Sequence, residues 1–275
     1  MGKGEIGALP PAASPLTTRH GARTLAPRPL PRPLGRVPGG SVQDLGSAFA
    51  TALRLVLAGD PAVLTIFALS MKVSLAALGI AALVGLPLGA LLAVARFPGR
   101  QAVIVGLNAL MGLPPVVAGL LIYLLLSRSG PLGAFGLLFT PAAMVIAQAV
   151  LIAPILAALS RQVLDGMWEE YAEQLRSFGA GPWRAVPTLL WDGRFALLTV
   201  LLAGFGRAAA EVGAVIVVGG NIEGFTRTMT TAIALETSKG DLPLALALGL
   251  LLMVIVVGVN ALAQGLRDAA LRRAA

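Results

Sequence analysis

The chain has 275 residues, is 57% hydrophobic and 12% charged, and carries a formal net charge of +8; its mean hydropathy is +0.85. Soluble domains carry about 25% charged residues, so this composition excludes a chain that covers itself with polar surface, and lipid must be part of the solvent. There is no cysteine, which excludes disulfides and thiolate metal sites, and the one histidine, His20, lies in a Pro/Arg-rich tail, away from any apolar segment that could carry catalysis.

Residues 1–41 contain "LAPRPLPRPLGRVPGG" and show no apolar periodicity, so they are expected to be an extended or disordered tail. No apolar core follows their charges at signal-peptide spacing. The next segment, Val42–Pro61, places Leu45, Phe49, Ala52, Leu53 and Val56 at helical spacing, interrupted by Asp44, Ser47 and Arg54. It reads as an amphipathic helix lying at the membrane interface, ended by Asp60-Pro61.

Five membrane spans are predicted after it, over Thr65–Ala95, Ala102–Leu126, Pro141–Ser160, Phe195–Val218 and Pro243–Leu262. Lys72 near the outer end of the first can snorkel to the headgroups. The transmembrane region as a whole is expected over residues 42–275. Within the first span, Gly85 and Gly89 bracket Pro87 at small-xxx-small spacing, which predicts a packing seam. In the second, Asn108 and the Pro114-Pro115 pair interrupt the apolar run, and the prolines predict a kink that can act as a gate.

Orientation follows from Lys and Arg in the connections. Arg96 and Arg100 lie after the first span, and Arg161, Arg176, Arg184 and Arg194 after the third. Arg267, Arg272 and Arg273 follow the fifth. These regions, and the C-terminus, are expected to be cytoplasmic. The six Lys/Arg of residues 1–41 then fall on the outer side. Either that tail crosses against its charge or translation starts near Val42; the second reading is favoured.

The third connection is the most polar. Met167–Phe178 is rich in helix formers, Gly179-Ala180-Gly181 breaks the helix, and Pro182 suits the first turn of another that starts with Trp183. This helix–glycine–helix elbow, residues 167–190, reads either as a connector with Trp168, Trp183 and Trp191 as belt aromatics or as a docking knob.

"EQLRSFGAGPWRAVPTLLW" resembles the coupling loop of binding-protein-dependent ABC importer permeases, whose pattern runs Glu-Ala-Ala, three residues, Gly, then nine residues to Ile-x-Leu-Pro. Glu173 and Gly179 match, Gln174 and Leu175 stand where alanines are usual, and Trp191-Asp192 replace the Leu-Pro pair. Leu113–Gly133 and "GFGRAAAEVGAVIVVGGNIEGFTRTMTTAIALETSKGD" (Gly204–Asp241) resemble the molybdate, tungstate and sulfate permeases, with the latter stretch nearest the tungstate form. The resemblance implies an all-α integral membrane protein of the type I ABC importer permease fold. It also implies a functional homodimer in the bacterial cytoplasmic (inner) membrane. Its expected partners are cytoplasmic ABC ATPase subunits and an extracytoplasmic oxyanion-binding protein. Glu173, Gly179, Ala180, Gly181, Pro182 and Trp183 would form the ATPase contact.

Read physically, Arg207 and Glu211 are four apart on one predicted helix and form either a self-neutralising ion pair or part of an anion path. Gly204, Gly206 and Gly213 suit close packing around a dimer axis. Thr226, Arg227 and Thr228 offer donors for an anion in an outer vestibule, or belong to a Thr-rich re-entrant segment without substrate contact. Asn108 is placed on the same path. No G-x-x-x-x-G-K-[ST] run and no metal-ligand cluster occurs, so the chain needs a separate ATPase and no cofactor is expected. Nucleic acid is not an expected partner, because the positive charges sit between apolar runs without an aromatic-laced patch. The rival readings are a molybdate or sulfate permease, an ATP-independent anion transporter or channel, and an integral-membrane enzyme. The absence of paired repeats and of catalytic clusters argues against the last two.

Overall fold

The computed structural model describes residues 61–179 and 181–274, with Ala50, Leu53, Arg54 and Ala58 singly before them. The predicted tail, most of the predicted interfacial helix and Ala180 lie outside the described residues.

Among the described residues the regular structure is helical: α1 Pro61–Val94, α2 Arg100–Met111, α3 Pro115–Leu126, α4 Pro141–Ser177, α5 Pro182–Asp192, α6 Arg194–Ala209, α7 Gly213–Gly219, α8 Met229–Lys239 and α9 Leu242–Ala274, with one 3₁₀ turn at Gly133–Phe135. Three helices (α1, α4 and α9) are long and apolar enough to cross a membrane, and up to five spans result if each bent pair counts as one. The predicted all-α membrane architecture therefore stands, with its spans differently bounded.

α1 and α4 form the spine. Ala77, Ala81, Gly85 and Gly89 repeat every four residues and so line one face of α1. They meet Ala149, Ala153, Ala157 and Ser160 of α4. A Cβ on Gly85 would lie 2.8 Å from the Ala153 carbonyl oxygen and 2.9 Å from the Leu156 Cβ. The expected packing seam is thus real, and it joins two helices of one chain. Around it, α5 and α6 add Ala185, Leu189, Leu197 and Val200 to one apolar core. α3 and α7 complete a second with Ala118, Ile122, Ala214 and Val218. Val63 of α1, Met229 of α8 and Leu248 of α9 form a third.

Several boundaries differ from expectation. The third predicted span ends at Ser160, yet α4 runs on to Ser177. Arg161, Asp165 and Glu169 lower the hydropathy there, but no residue breaks the helix before Gly179. The same happens at the end of the chain, where α9 continues past Leu262. The second span is not a kinked rod: α2 and α3 meet at 101° across Gly112–Pro114. Pro114 is extended, at φ −60° and ψ 126°, and Pro115 opens α3, as proline geometry requires. The predicted fourth span is also divided, since α6 ends at Ala209 and α7 begins at Gly213.

Candidate functional site

The elbow is built by α4 and α5. Phe178 closes α4, and Gly179 follows at φ +73°. That left-handed backbone is the usual helix stop and suits glycine. Gly181, at φ −72° and ψ 171°, caps α5, and Pro182 occupies its first turn. α5 buries Ala185 and Leu189 against the bundle, one helical turn apart. Its other face projects outward: Trp183 is 76% exposed and Phe178, just before the turn, 84%. Glu173 lies exposed on the last turns of α4. Trp168 is not a belt residue, because it packs into the core beneath α5 with the Arg176 guanidinium 5.5 Å from its ring centroid. Trp191 is exposed and is stacked by Arg194 at 4.8 Å.

A second group of candidate residues gathers at the break in the fourth span. Arg207 and Glu211 form an ion pair, but they do not share one helix: α6 ends between them, and the pair straddles the break. Glu211 is 3% exposed. Its Oε1 accepts the Ala214 amide at 3.0 Å, which caps α7, while its Oε2 holds Arg207. Its backbone carbonyl accepts the Thr230 hydroxyl at 2.8 Å. That carboxylate satisfies one free amide of the next helix from just before its N-cap, Val212.

The two broken spans touch. A Cβ on Gly213 would lie 2.9 Å from Val116 Cγ2 and 3.5 Å from Pro115 Cβ, and one on Gly119 would lie 2.8 Å from the Ala214 Cα. Pro115 and Glu211 are thereby brought into one region. Gly204 packs within the chain, since its Cβ would meet Leu156 Cδ2 at 2.7 Å and Leu78 Cδ1 at 3.0 Å; Gly206 faces open space. Asn108 and Pro114 are exposed and do not join the group around Glu211.

The threonine-rich segment turns its hydroxyls inward. Thr226 Oγ1 donates to the Gly219 carbonyl at 2.5 Å and accepts the Ile222 amide at 2.9 Å. Thr228 is the N-cap of α8; its amide donates to Thr231 Oγ1 at 3.0 Å, and its hydroxyl lies 3.1 Å from Thr231 Oγ1. Both residues are buried. These hydroxyls hold the turn and the helix start within this chain. Arg227, with 15% of its side chain exposed, lies 3.5 Å from Glu223. It lines an open groove shared with Lys72, Glu236 and Lys239.

Three buried polar residues were not singled out from the sequence. Ser70 Oγ accepts the Met229 amide at 2.7 Å, which ties α1 to the start of α8. Gln148 Nε2 donates to the Ala208 carbonyl at 3.2 Å, at the end of α6, while its Oε1 is buried without a hydrogen-bond partner. These two and Ser74 line a cavity of about 10 Å³, room for roughly one water. The signal was available, because a glutamine inside "MVIAQAVLIA" is an isolated polar group in a membrane run. Arg100, Arg161 and Asp165 were read only as topology charges or not at all, yet they form a cluster of ion pairs.

Residues 85–273 match the family of binding-protein-dependent transport system inner membrane components. A probable anion ABC transporter permease protein from Haloferax volcanii is 40% identical over 74% of this chain and 90% of its own length. The tungstate uptake system permease protein TupB of Peptoclostridium acidaminophilum is 39% identical over 82% of this chain and 100% of its own. The molybdenum transport system permease protein ModB of Escherichia coli is 32% identical over 60% of this chain and 76% of its own. The chain therefore belongs to the binding-protein-dependent transport system inner membrane components, as an ABC importer permease of the branch that includes the tungstate and molybdenum permeases.

Proposed function

We propose that this chain is the translocating subunit of an ABC importer for a tetrahedral oxyanion, tungstate in the first instance. The full-length likeness to a tungstate permease carries the substrate assignment. Two copies would enclose the path, and an extracytoplasmic binding protein would deliver the anion. Two cytoplasmic ATPase subunits would dock on the elbow around Glu173, Gly179, Ala180, Gly181, Pro182 and Trp183. The exposed Phe178 and Trp183, backed by an α5 face buried in the bundle, support that reading: an aromatic anchor on a rigid base suits a docking contact. The C-terminus would share the cytoplasmic side, a reading that the Lys/Arg distribution supports.

Closure of the ATPases on ATP would draw the two elbows together and reverse the accessibility of the path. The broken spans supply the parts that move. Their contact at Pro115 and Gly213 lets a change in one break reach the other. Arg207 offers the anion a positive charge that Glu211 already partly neutralises, so the anion is attracted without being trapped. Thr226, Arg227 and Thr228 serve this path through the shape of the outer segment. Asn108 belongs to the path, and Pro114 and Pro115 to the gate formed by the second span.

Molybdate is the second substrate reading, favoured by the likeness to ModB; sulfate shares the same charge and shape. Reconstitution in vesicles with its ATPase and binding protein tests the proposal. ATP-dependent tungstate uptake that persists under excess molybdate supports it. Uptake without ATP refutes the importer mechanism.

A further inference from the structure

Three elements that the sequence leaves separate meet at one arginine. Arg100 is the first residue of α2. Its Nε donates to the Leu92 carbonyl at 2.7 Å, one of the last carbonyls of α1, which no intrahelical amide can reach. Its Nη2 reaches Asp165 Oδ1 on α4 at 3.1 Å. The other carboxylate oxygen, Asp165 Oδ2, is held by Arg161, one turn earlier on the same helix. The three side chains are 16–29% exposed, so the pairs are only partly screened by solvent. The clasp sits just beyond the closest approach of α1 and α4, where a Cβ on Gly89 would strike Ser160.

From Asp165 to Ser177 α4 is one unbroken helix that ends at the elbow. Those residues span roughly 18 Å at about 1.5 Å each. A push on the elbow therefore arrives at Asp165 along a rigid rod. Arg100 begins the 12-residue α2, whose far end is the 101° break at Pro114. Asp165 is thus placed to pass motion of the elbow to the broken second span.

We infer that Asp165 is a positioning residue for transport: through Arg100 it couples the elbow to the second span. This role rests on the importer reading above. Arg161 lies on the same helix as Asp165 and orients the carboxylate without joining the two elements.

The test measures anion transported per ATP hydrolysed in vesicles containing the permease, its ATPase and its binding protein. Asp165→Asn and Arg100→Gln are each expected to lower that ratio about tenfold, the order expected for losing one charge-assisted hydrogen bond, while ATP hydrolysis stays near wild type and the melting temperature falls by only a few degrees. The double variant is expected to be no worse than either single one, and Arg161→Gln to retain most coupling. Unchanged ratios in both single variants overturn the proposal. A loss in Arg161→Gln as large as in Asp165→Asn also overturns it, since the effect would then be local to α4.

If the variants fail to assemble, the intact clasp is followed by spin labels on Gln101→Cys and Gln162→Cys. The natural chain has no cysteine to interfere. A label distance that stays fixed between nucleotide-free and ATP-trapped states supports the clasp, and separation by more than about 5 Å, roughly one helical turn, overturns it. Absence of ATP-driven uptake in the wild type would overturn the importer reading and this role with it. Normal wild-type uptake with coupled variants would overturn this role alone.

Discussion

Gly179→Ala isolates the backbone of the elbow from its contacts. Gly179 has φ +73°, and a Cβ there would meet no atom within 4 Å. Substitution therefore adds no clash, and its cost is conformational, about 1–2 kcal/mol for an L-residue held in the left-handed region. At about 1.4 kcal/mol per factor of ten, the observed elbow would be depopulated by roughly 5–30-fold. Gly181→Ala is the control, because Gly181 sits at φ −72° and also has open space around it. The assay is co-purification of the ATPase with the permease, followed by ATP-dependent uptake. Gly179→Ala should weaken both and leave membrane insertion and the melting temperature of the bundle intact. Gly181→Ala should do little, and Gly179→Asn, which tolerates the left-handed region better, should recover part of the loss. Wild-type docking and uptake in Gly179→Ala, or equal damage in Gly181→Ala, would refute the reasoning.

Other substitutions probe the spine and the broken fourth span. Gly85→Val drives a side chain into the Ala153 carbonyl and Leu156; overpacking of about 1–3 kcal/mol or more should lower the melting temperature in detergent. Gly79→Ala, in open space on the same helix, should be neutral or stabilising by up to about 1 kcal/mol. Glu211→Ala removes both the cap on Ala214 and the partner of Arg207, and should destabilise by about 1–3 kcal/mol. Glu211→Gln, which keeps an acceptor for the cap, should cost less by the same thermal assay. Arg207→Ala should reduce anion uptake at normal expression and assembly; unchanged uptake would assign the pair to structure alone. Gln148→Leu removes a buried unpartnered acceptor. The Ala208 carbonyl that it releases still accepts the Glu211 amide at 3.2 Å, so thermal stability should change by less than about 1 kcal/mol.

Hydropathy reported where lipid is, and backbone chemistry reported where helices stop; the two were legible to different degrees. The apolar runs located the helices that cross the membrane, and Gly179 and Pro182 marked the elbow to the residue. The end of α4 was missed because Arg161 and Asp165 end an apolar run without ending a helix. The break after Ala209 was hidden for the opposite reason. Every residue of Arg207–Glu211 accepts helical geometry, so the stop depends on Glu211 capping Ala214 and on Gly213 fitting against Val116. Those are tertiary facts with no local signature. Pro114-Pro115 announced an interruption, but not that α3 would turn by 101° to lie along α7. The threonines were visible as donors, and only the fold shows that Thr226 and Thr228 spend their hydroxyls on their own loop and helix cap. The clasp at Asp165 joins positions 65 residues apart, beyond the reach of any spacing rule.

The most direct measurement is tungstate accumulation in vesicles containing this chain, its ATPase and its binding protein, with and without ATP and with molybdate or sulfate as competitors. The account predicts accumulation that requires ATP, is weakened in Gly179→Ala and survives excess molybdate. Accumulation abolished by molybdate or sulfate would move the substrate to that anion. Accumulation without ATP would contradict the account, and the elbow at Gly179 would be a connector between two helices.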